Sequence, residues 1–500
     1  MLRSNSEHPL PFLPVTMQIL VIDVGTSSMR GVLYDPTGKP LVMHQVPYHV
    51  TAAGSRVEQD PADWTQALEE ICTIAANQAP SVDALALTSQ RSSIIPVNGK
   101  GRPLRQAIMW QDTRNTSVVQ ELSPYADRIS ALTGARVNTV FSGTKMTWFR
   151  RTEPALYAKT WKLCTIADYL TARMTGSYIT DETYGSRSLL MGLHSRKWEQ
   201  ELLDYFQVDS EKLCDLISPG SISGRVTQEF SSRTGLPAGI PLVSAGGDQQ
   251  CGALGQGVFM PGRTSVTLGT SACLLKSVLQ VPEKRAGLLC GAASLPGSYV
   301  LEGSVVTCGA ALDWLRRELY GPTGFDVLNQ EVLASPPGAN GVVALPNFQG
   351  SGTPNWDSRQ RGSFQHLDLG TTRGDMARAL LEAIVFEIVN NLEQMDRCGG
   401  VAPELRVGGG MVRNPALCRI LADASGKPVL CGRSQAEDTA FGAWMGAAVT
   451  LGLYGSFSDA YAQNVCQLSV VEPDLNLFPL YQAGRERMNE VGRALYCPKK

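Results

Sequence analysis

The run Ile19-Leu20-Val21-Ile22-Asp23-Val24-Gly25-Thr26-Ser27-Ser28-Met29-Arg30-Gly31-Val32-Leu33-Tyr34-Asp35 constrains the fold more than any other part of the chain. Ile19 to Ile22 is apolar and largely β-branched, as a buried strand should be. Gly25 and the three hydroxyl residues after it make a turn rich in backbone donors. Val32-Leu33-Tyr34 resumes the strand, and Asp35-Pro36-Thr37-Gly38 is a turn in its own right. A loop of this kind can hold a phosphate with N–H groups and hydroxyls, leaving one carboxylate, Asp23, beside it for a metal. Taken alone, the stretch reads equally well as an ordinary β-hairpin with a glycine turn.

The pattern returns later in the chain. Arg263 to Leu275 again gives strand, Gly-Thr-Ser turn and strand, so that Val24-Gly25-Thr26-Ser27 aligns with Leu268-Gly269-Thr270-Ser271 and Thr267 stands where Asp23 stood. Recurrence inside matching hairpins, each at the head of a unit, reads as a trace of duplicated lobes. A chain of 500 residues is too long for one core, which agrees. The division expected is a first lobe over 17–258 and a second over 259–500. Residues 1–16 hold three prolines and no apolar core, and are expected to be a poorly ordered extension, with Met17 directly before the first strand.

Composition removes several function classes. The net charge is −2 and no Lys/Arg block occurs, which argues against a nucleic-acid or polybasic membrane surface. No apolar run approaches the ~20 residues a membrane span requires. The twelve cysteines are scattered without a Cys-x-x-Cys pair, and only five histidines are present, so a zinc or dithiol site is not expected. Free thiols in apolar surroundings fit a cytoplasmic location.

Between and beyond the hairpins, strand and helix signals alternate. Asp60-Pro61 caps a helix expected to run to about Asn77. Val82 to Thr88 and Ile94 to Val97 read as strands, and Ala107 to Arg114 as a strand whose polar end would wall an α/β cleft. From about Thr116 to Gly235 the chain is largely helical, broken at Gly134, Gly143, Gly176 and Pro219-Gly220. Ser244 to Gln250 ends another strand. In the second unit, Tyr299 to Glu302 is a strand and Gly309 to Arg316 a glycine-led helix. Asp375 to Met395 carries an apolar stripe at steps of three and four, a core helix. Leu405 to Pro415 is a strand, a glycine turn and a helix start, and Thr439 to Gly452 is a helix of small residues suited to close packing.

The common phosphate and hydrolase motifs are absent: no Gly-x-x-x-x-Gly-Lys-[Ser/Thr] loop, no Gly-x-Gly-x-x-Gly spacing at Gly408-Gly409-Gly410, no Gly-x-Ser-x-Gly elbow. What remains is an ordered set: Asp23 to Ser28, Trp110-Gln111-Asp112-Thr113-Arg114, Phe141 to Trp148, Gly247-Asp248-Gln249-Gln250, Leu268 to Ser271, and Gly408-Gly409-Gly410 with Asn414 and Ala422-Asp423. From about Gln18 onward, this set resembles the FGGY carbohydrate kinases. That resemblance implies an α/β fold of two ribonuclease H-like lobes, of the actin and hexokinase type, around a central cleft for ATP and substrate.

The resemblance also implies a reaction, phosphoryl transfer from Mg-ATP to a hydroxyl of a small carbohydrate, which needs an in-line acceptor and stabilised phosphate charge. Asp248 matches the family's catalytic base, and Asp23 would hold Mg²⁺, through water. Thr26, Ser27, Ser28 and Arg30 would meet ATP phosphates from one lobe and Thr270 from the other. Gly309 and Asp313 lie where the family's helix passes the nucleotide, although glycerol kinases carry Gln at the Asp313 position. Gly410 and Asn414 would approach adenine and ribose. From the residues alone, Asp248 is also a helix cap, Arg30 a solvated strand charge, Trp110 core packing, and the glycines and threonines plain turns.

On the acceptor side, Arg91, Trp110, Asp248 and Gln249 match the polyol-holding residues of glycerol kinases. The Glu and Tyr of that set are replaced by Ser92 and Val140, and the Met-His pair of xylulokinases is absent, since Arg91-Ser92 follows Gln90. A site that loses two hydrogen-bonding groups loses its selectivity for the ligand they read. The acceptor expected is therefore a ketose, a sugar acid or a longer polyol. The rival readings are a glycerol kinase and, from another class, a non-catalytic ATP-binding sensor on the same fold; retention of Asp23, Asp248 and both Gly-Thr loops argues against the sensor. Partners other than a small sugar or polyol are not expected, and a homodimer is left open.

Overall fold

In the computed structural model, residues 16–79, 81–260, 262–321, 324–432, 435–463 and 468–496 are described. The expected extension at 1–16 lies outside the described residues apart from Thr16, as do Cys466 and Cys497.

Two sheets organise the molecule. The first is built from β1 (Ile19–Val24), β2 (Ser28–Tyr34), β3 (Pro40–Pro47), β4 (Ala84–Ser89), β5 (Ile222–Arg225) and β6 (Pro241–Gly247), in the order β5-β6-β4-β1-β2-β3. Strands β1, β2 and β3 form an antiparallel meander, while β4 runs parallel to β1 and β6 parallel to β4. The second sheet uses β7 (Thr264–Leu268), β8 (Ala272–Val278), β9 (Leu289–Ala292), β10 (Tyr299–Val305), β11 (Leu405–Gly408), β12 (Val429–Cys431) and β13 (Ser469–Val471), in the order β9-β10-β8-β7-β11-β12-β13. Here β7, β8 and β10 are the antiparallel meander, and β11 and β12 are the parallel pair on its far side. Even the antiparallel outer strands correspond, β5 beside β6 and β13 beside β12. The two hairpins that match in sequence, β1–β2 and β7–β8, are thus the same element of two sheets of one topology. They are not identical: Val24 pairs with Met29 across four loop residues, whereas Leu268 pairs with Ala272 across three.

Every residue of β1 is buried because both faces of the first sheet are covered. On one face, Leu20, Ile22, Leu85 and Leu87 pack with Trp64, Leu68 and Ile71 of α1 (Pro61–Gln78), which Asp60 caps as the sequence indicates. Farther along are α2 (Ser142–Thr152), α3 (Asp248–Gly255), which follows β6 directly, and α4 (Gly309–Leu315). Helix α5 (Arg373–Gly399) lies on the second sheet with Leu380, Ile384, Ile388, Leu392 and Met395 buried. It starts two residues ahead of the expected Asp375, because Thr372 and Asp375 form a capping box around its first turn. Helix α6 (Pro415–Ser425) follows β11, and α7 (Gln435–Thr450) follows β12.

Two expectations are corrected. Gly143 does not break a helix but sits in the first turn of α2, where its N–H donates to the Ser188 carbonyl at 2.8 Å. Only Ala107–Ile108 of the expected strand 107–114 is extended, because the Asp112 carboxylate takes up the Val57 and Arg114 N–H groups and folds the rest into a turn. Helix α7, from the C-terminal part of the chain, packs on the first sheet. Its Phe441, Trp444 and Met445 close the other face of the first sheet, over Ile19, Val21, Ala84, Ala86 and Val243.

Helices α3 and α7 cross between the sheets with their backbones almost touching. A Cβ on Gly442 would stand 1.9 Å from the Cys251 carbonyl oxygen, and one on Gly255 would stand 2.0 Å from that of Asp438. No rotamer relieves a clash with backbone, so the crossing requires glycine at both points. Gly442→Ala is expected to cost at least about 2 kcal/mol of stability. Gly446→Ala in the same helix, where a Cβ meets nothing within 4 Å, should be neutral or slightly stabilising through helix propensity. Chemical denaturation of the two variants checks the contrast.

Candidate active site

The parallel register of β1, β4 and β6 brings three polar groups to one edge of the first sheet. Asp23 of β1 lies beside Thr88 of β4, Val24 beside Ser89, and Gly247 of β6 beside Ser89 from the other side. The residues that follow, Gln90-Arg91-Ser92 after β4 and Asp248 after β6, therefore emerge next to Asp23 at the C-terminal ends of the strands, where open α/β sheets place their sites. Asp248 is the first residue of α3, with Gly247 as its cap position, and its Oδ1 accepts the Gln249 N–H at 2.8 Å. A quarter of its side chain is exposed, so it faces the cleft, and Arg91 Nε lies 3.8 Å from Oδ1.

The first glycine loop is tied to this edge. Its Gly25 N–H donates to the Ser28 carbonyl at 3.0 Å, and the Gly25 carbonyl accepts the Gln90 side-chain amide at 2.9 Å and the Tyr48 hydroxyl. Thr26 Oγ1 is 3.4 Å from the Trp110 indole N–H. Ser27 is exposed, Ser28 Oγ accepts from Gln45 at 2.8 Å, and Arg30 stands across the hairpin from Asp23. On the second lobe, Thr270 and Ser271 are exposed at the loop tip. The start of α4 docks on that loop: the Gly309 N–H donates to the Gly269 carbonyl at 2.9 Å, and a Cβ on Gly309 would approach that oxygen to 2.7 Å. Gly410 has open space where a side chain would be.

Other expected ligands stand differently. Asp313 is paired with Arg316 at 2.9 Å along α4. Asn414 caps α6, accepting the Leu417 N–H at 3.1 Å and donating to Asn329 at 2.9 Å, so both ends of its amide are engaged within the protein. Asp112, expected to mark a cleft wall beside Trp110, is fully buried and paired with Arg114 at 2.7 Å. Ser92 is buried, in a left-handed conformation with φ 71°, and its hydroxyl donates to the Arg187 carbonyl at 3.4 Å rather than opening into free space. Val140 is half-buried. Gln249 follows Asp248 on α3 and is also half-buried.

Sequence reasoning passed over three residues here, and gave Lys145 no role. Glu302 of β10 reaches across from the second lobe, its Oε2 2.6 Å from Arg187 Nη2 and 3.3 Å from Arg91 Nη1. Arg187 is almost completely buried. Cys273 of β8 shares the electrostatic neighbourhood of Arg91, Glu302 and Asp248. Lys145 of α2, fully buried, donates to the Thr139 and Val140 carbonyls, the latter at 2.7 Å, with the Trp110 carbonyl at 3.4 Å, and so ties the Trp110 turn to the segment before α2. Burial pushes the Lys145 ammonium down to about 7. A charged residue inside a strand or helix motif was the available signal; the partner across the lobes was not.

The electrostatics are those of carboxylates short of cations. Burial, then the nearby Asp248 charge, pushes Asp23 up to about 7, with Arg30 opposing. Burial also raises Asp248, against the pull of Arg91. Burial alone would raise Glu302 too, but Arg187 and Arg91 hold it down at about 2. Among the described residues no three His, Cys, Asp or Glu side chains cluster as a metal cage, and no helix is long and apolar enough to cross a membrane.

Comparison with known proteins agrees with this arrangement. The FGGY family of carbohydrate kinases, N-terminal domain, matches residues 18–255, and the C-terminal domain of the same family matches 264–451. A glycerol kinase from Citrifermentans bemidjiense is 35% identical over 457 residues, 86% of this chain and 90% of that protein. The fold is shared with the xylulose kinase of Lactobacillus acidophilus in its ligand-bound crystal structure (TM-score 0.91, 24% identity, 96% of this chain and 98% of that one). A gluconate kinase from the same organism matches with the same values. The chain belongs to the FGGY family of carbohydrate kinases, enzymes that use ATP as phosphoryl donor.

Asp23 keeps its proton to about pH 7 in the folded chain and only to its ordinary value of 3.8 when unfolded. A carboxyl raised on folding costs stability as pH climbs from about 4 to about 7. Asp23→Asn removes that cost. Its stability relative to the parent protein should rise by roughly 2 kcal/mol between pH 5 and pH 8. Thermal scans at the two pH values check this, and a difference independent of pH would contradict the burial argument.

Proposed function

We propose that this kinase transfers the γ-phosphoryl group of Mg-ATP to a hydroxyl of a ketose, a sugar acid or a polyol longer than glycerol, with Asp248 as the general base. The observation that carries the reading is the position of Asp248. Its carboxylate is open to the cleft at the start of α3, beside Arg91, in a site bordered by a Gly-Thr loop from each lobe. The acceptor hydroxyl donates to that carboxylate. As its oxygen attacks the γ-phosphorus, the proton passes to Asp248, the bond to the bridging oxygen breaks, and ADP leaves with the electron pair. Burial keeps the carboxylate basic enough to accept the proton.

We assign the phosphates to Thr26, Ser27, Ser28 and Arg30 on one side and Thr270 on the other. The adenosine goes against Gly410, with Gly309 and Asp313 bordering it and Asn414 framing the pocket as the cap of α6. Asp23 would hold Mg²⁺ through water: its carboxylate is buried and starved of positive charge, and with no three-ligand cage among the described residues the ion would rely on phosphate oxygens and water. Bound there, the ion would neutralise charge on the transferring group. Two lobes meeting over the site exclude water, which would otherwise compete as acceptor. We divide the chain between these lobes at 258/259 and place it in the cytoplasm, where the ten described cysteines, all free thiols, remain reduced.

Arg91, Trp110, Asp248 and Gln249 would read the acceptor, with Ser92 and Val140 in place of two hydrogen-bonding groups. Similar proteins named for glycerol, xylulose and gluconate share this fold, so the acceptor is set by side chains rather than backbone. Glycerol itself is the second reading, favoured by 35% identity to a glycerol kinase.

An ADP-release assay over glycerol, longer polyols, pentuloses, hexuloses and sugar acids tests both. The expected result is an acceptor from the larger classes at least about tenfold better in kcat/KM than glycerol, as the loss of two hydrogen-bonding groups implies. Glycerol as the best acceptor establishes the second reading, and tight ATP binding without turnover points to a sensor. Asp248→Asn should lower kcat by roughly 10²–10⁴-fold while leaving ATP affinity nearly intact; a large loss of ATP binding would remove Asp248 from the acceptor side.

A further inference from the structure

Arg91 is the cation nearest to Asp248, and its guanidinium is divided. Nη1 points to Glu302 at 3.3 Å, while Nε stands 3.8 Å from Asp248 Oδ1, beyond hydrogen-bond length. The arginine stem is confined as well, since it lies against Gly247, where a Cβ would meet its Cδ at 2.6 Å. A guanidinium turned fully toward Asp248 would form a bidentate pair with it, the strongest ionic hydrogen-bond geometry available, and would strip the carboxylate of basicity. What draws Arg91 the other way is Glu302, anchored on β10 opposite Leu275 and held a second time by Arg187 at 2.6 Å.

We propose that Glu302 is a positioning residue of the phosphoryl transfer: from the second lobe it holds Arg91 off Asp248, leaving that carboxylate free to take the proton of the acceptor hydroxyl. This rests on Asp248 being the base. The groups that face Asp248 are Arg91 from the turn after β4, Asp23 at the end of β1, Glu302 on β10, Cys273 on β8 and Tyr184 from the segment before Arg187. Of these, Glu302 and Cys273 come from the second lobe, and Glu302 alone among the five forms an ion pair with Arg91. Because Glu302 and its two arginines belong to opposite lobes, the network exists only while the lobes are apposed.

A bland alternative must be kept apart. Arg187 is 1% exposed, and its Nε and Nη1 have no partner, so Glu302 also neutralises a buried cation whose abandonment would be costly. Glu302→Gln is therefore compared with the double variant Arg187→Met/Glu302→Gln, which removes the stranded charge. With the parent enzyme's best acceptor, Glu302→Gln is expected to lower kcat about 10- to 100-fold. It should move the acidic limb of the kcat/KM profile about one unit to lower pH, since a carboxylate paired with arginine titrates lower. The KM for ATP should stay within about twofold. The double variant should regain thermal stability but keep both the loss and the shifted limb. Full recovery of kcat in the double variant, or an unshifted limb in Glu302→Gln, would overturn the proposal.

A crystal structure of Glu302→Gln gives a reading independent of turnover. Arg91 is expected to rotate onto Asp248 with two N–O distances below about 3.2 Å, and an Arg91 still directed at residue 302 would overturn the proposal. If the parent enzyme phosphorylates no acceptor, the base assignment fails, while this structure still decides whether Glu302 restrains Arg91.

Discussion

The contact between α3 and α7 is the constraint on which the rest depends. Two helices that follow corresponding strands of the two sheets cross at Gly255 and Gly442, closer than any side chain allows. Helix α3 begins at Asp248, and Thr439 of α7 donates to the Asp248 carbonyl at 3.3 Å beside the crossing. The crossing carries Phe441 and Trp444 of α7 onto the first sheet, so the face of β1 opposite α1 is closed by a helix drawn from the far end of the chain. A site residue and a core face thus adjoin one backbone approach. The lobes are joined by packing, and each is incomplete in isolation.

On that frame the charges at the cleft edge are unevenly matched. Asp23 and Asp248 are brought together by parallel register, and neither has a full-strength cation of its own: Arg30 lies across a hairpin, and Arg91 is shared. Burial makes that shortage expensive, which is why Asp23 holds its proton to neutrality. A cation brought by nucleotide phosphates would relieve it. Glu302, by contrast, is oversupplied, with two arginines, and stays ionised. The contrast separates two carboxylates raised by burial from one held down by its arginines.

Much of this was legible in the chain. The hairpin at Ile19–Tyr34 and its echo at Thr264–Val278 follow from local pattern, because in each a strand rich in β-branched residues runs into a glycine-hydroxyl turn and a second strand. The Asp60-Pro61 helix start and the stripe of α5 were equally local. Errors arose where a side chain acts at a distance. Asp112 looked like a cleft residue and instead folds its own strand into a turn. Gly143 looked like a helix break and instead sits in the first turn of α2, bonded to the Ser188 carbonyl. Nor did local pattern show that the Ser92 hydroxyl meets the Arg187 carbonyl.

The sequence by itself determined the repeated strand-turn-strand units, the carboxylates that end their neighbouring strands and the family they mark, because each is encoded within a few residues. The tertiary structure alone decided what surrounds the opening hairpin: which helix covers it, which glutamate faces it across the cleft, and how far Arg91 stands from Asp248. Those depend on the meeting of segments more than a hundred residues apart. Packing and charge balance set such meetings, and no local spacing records them.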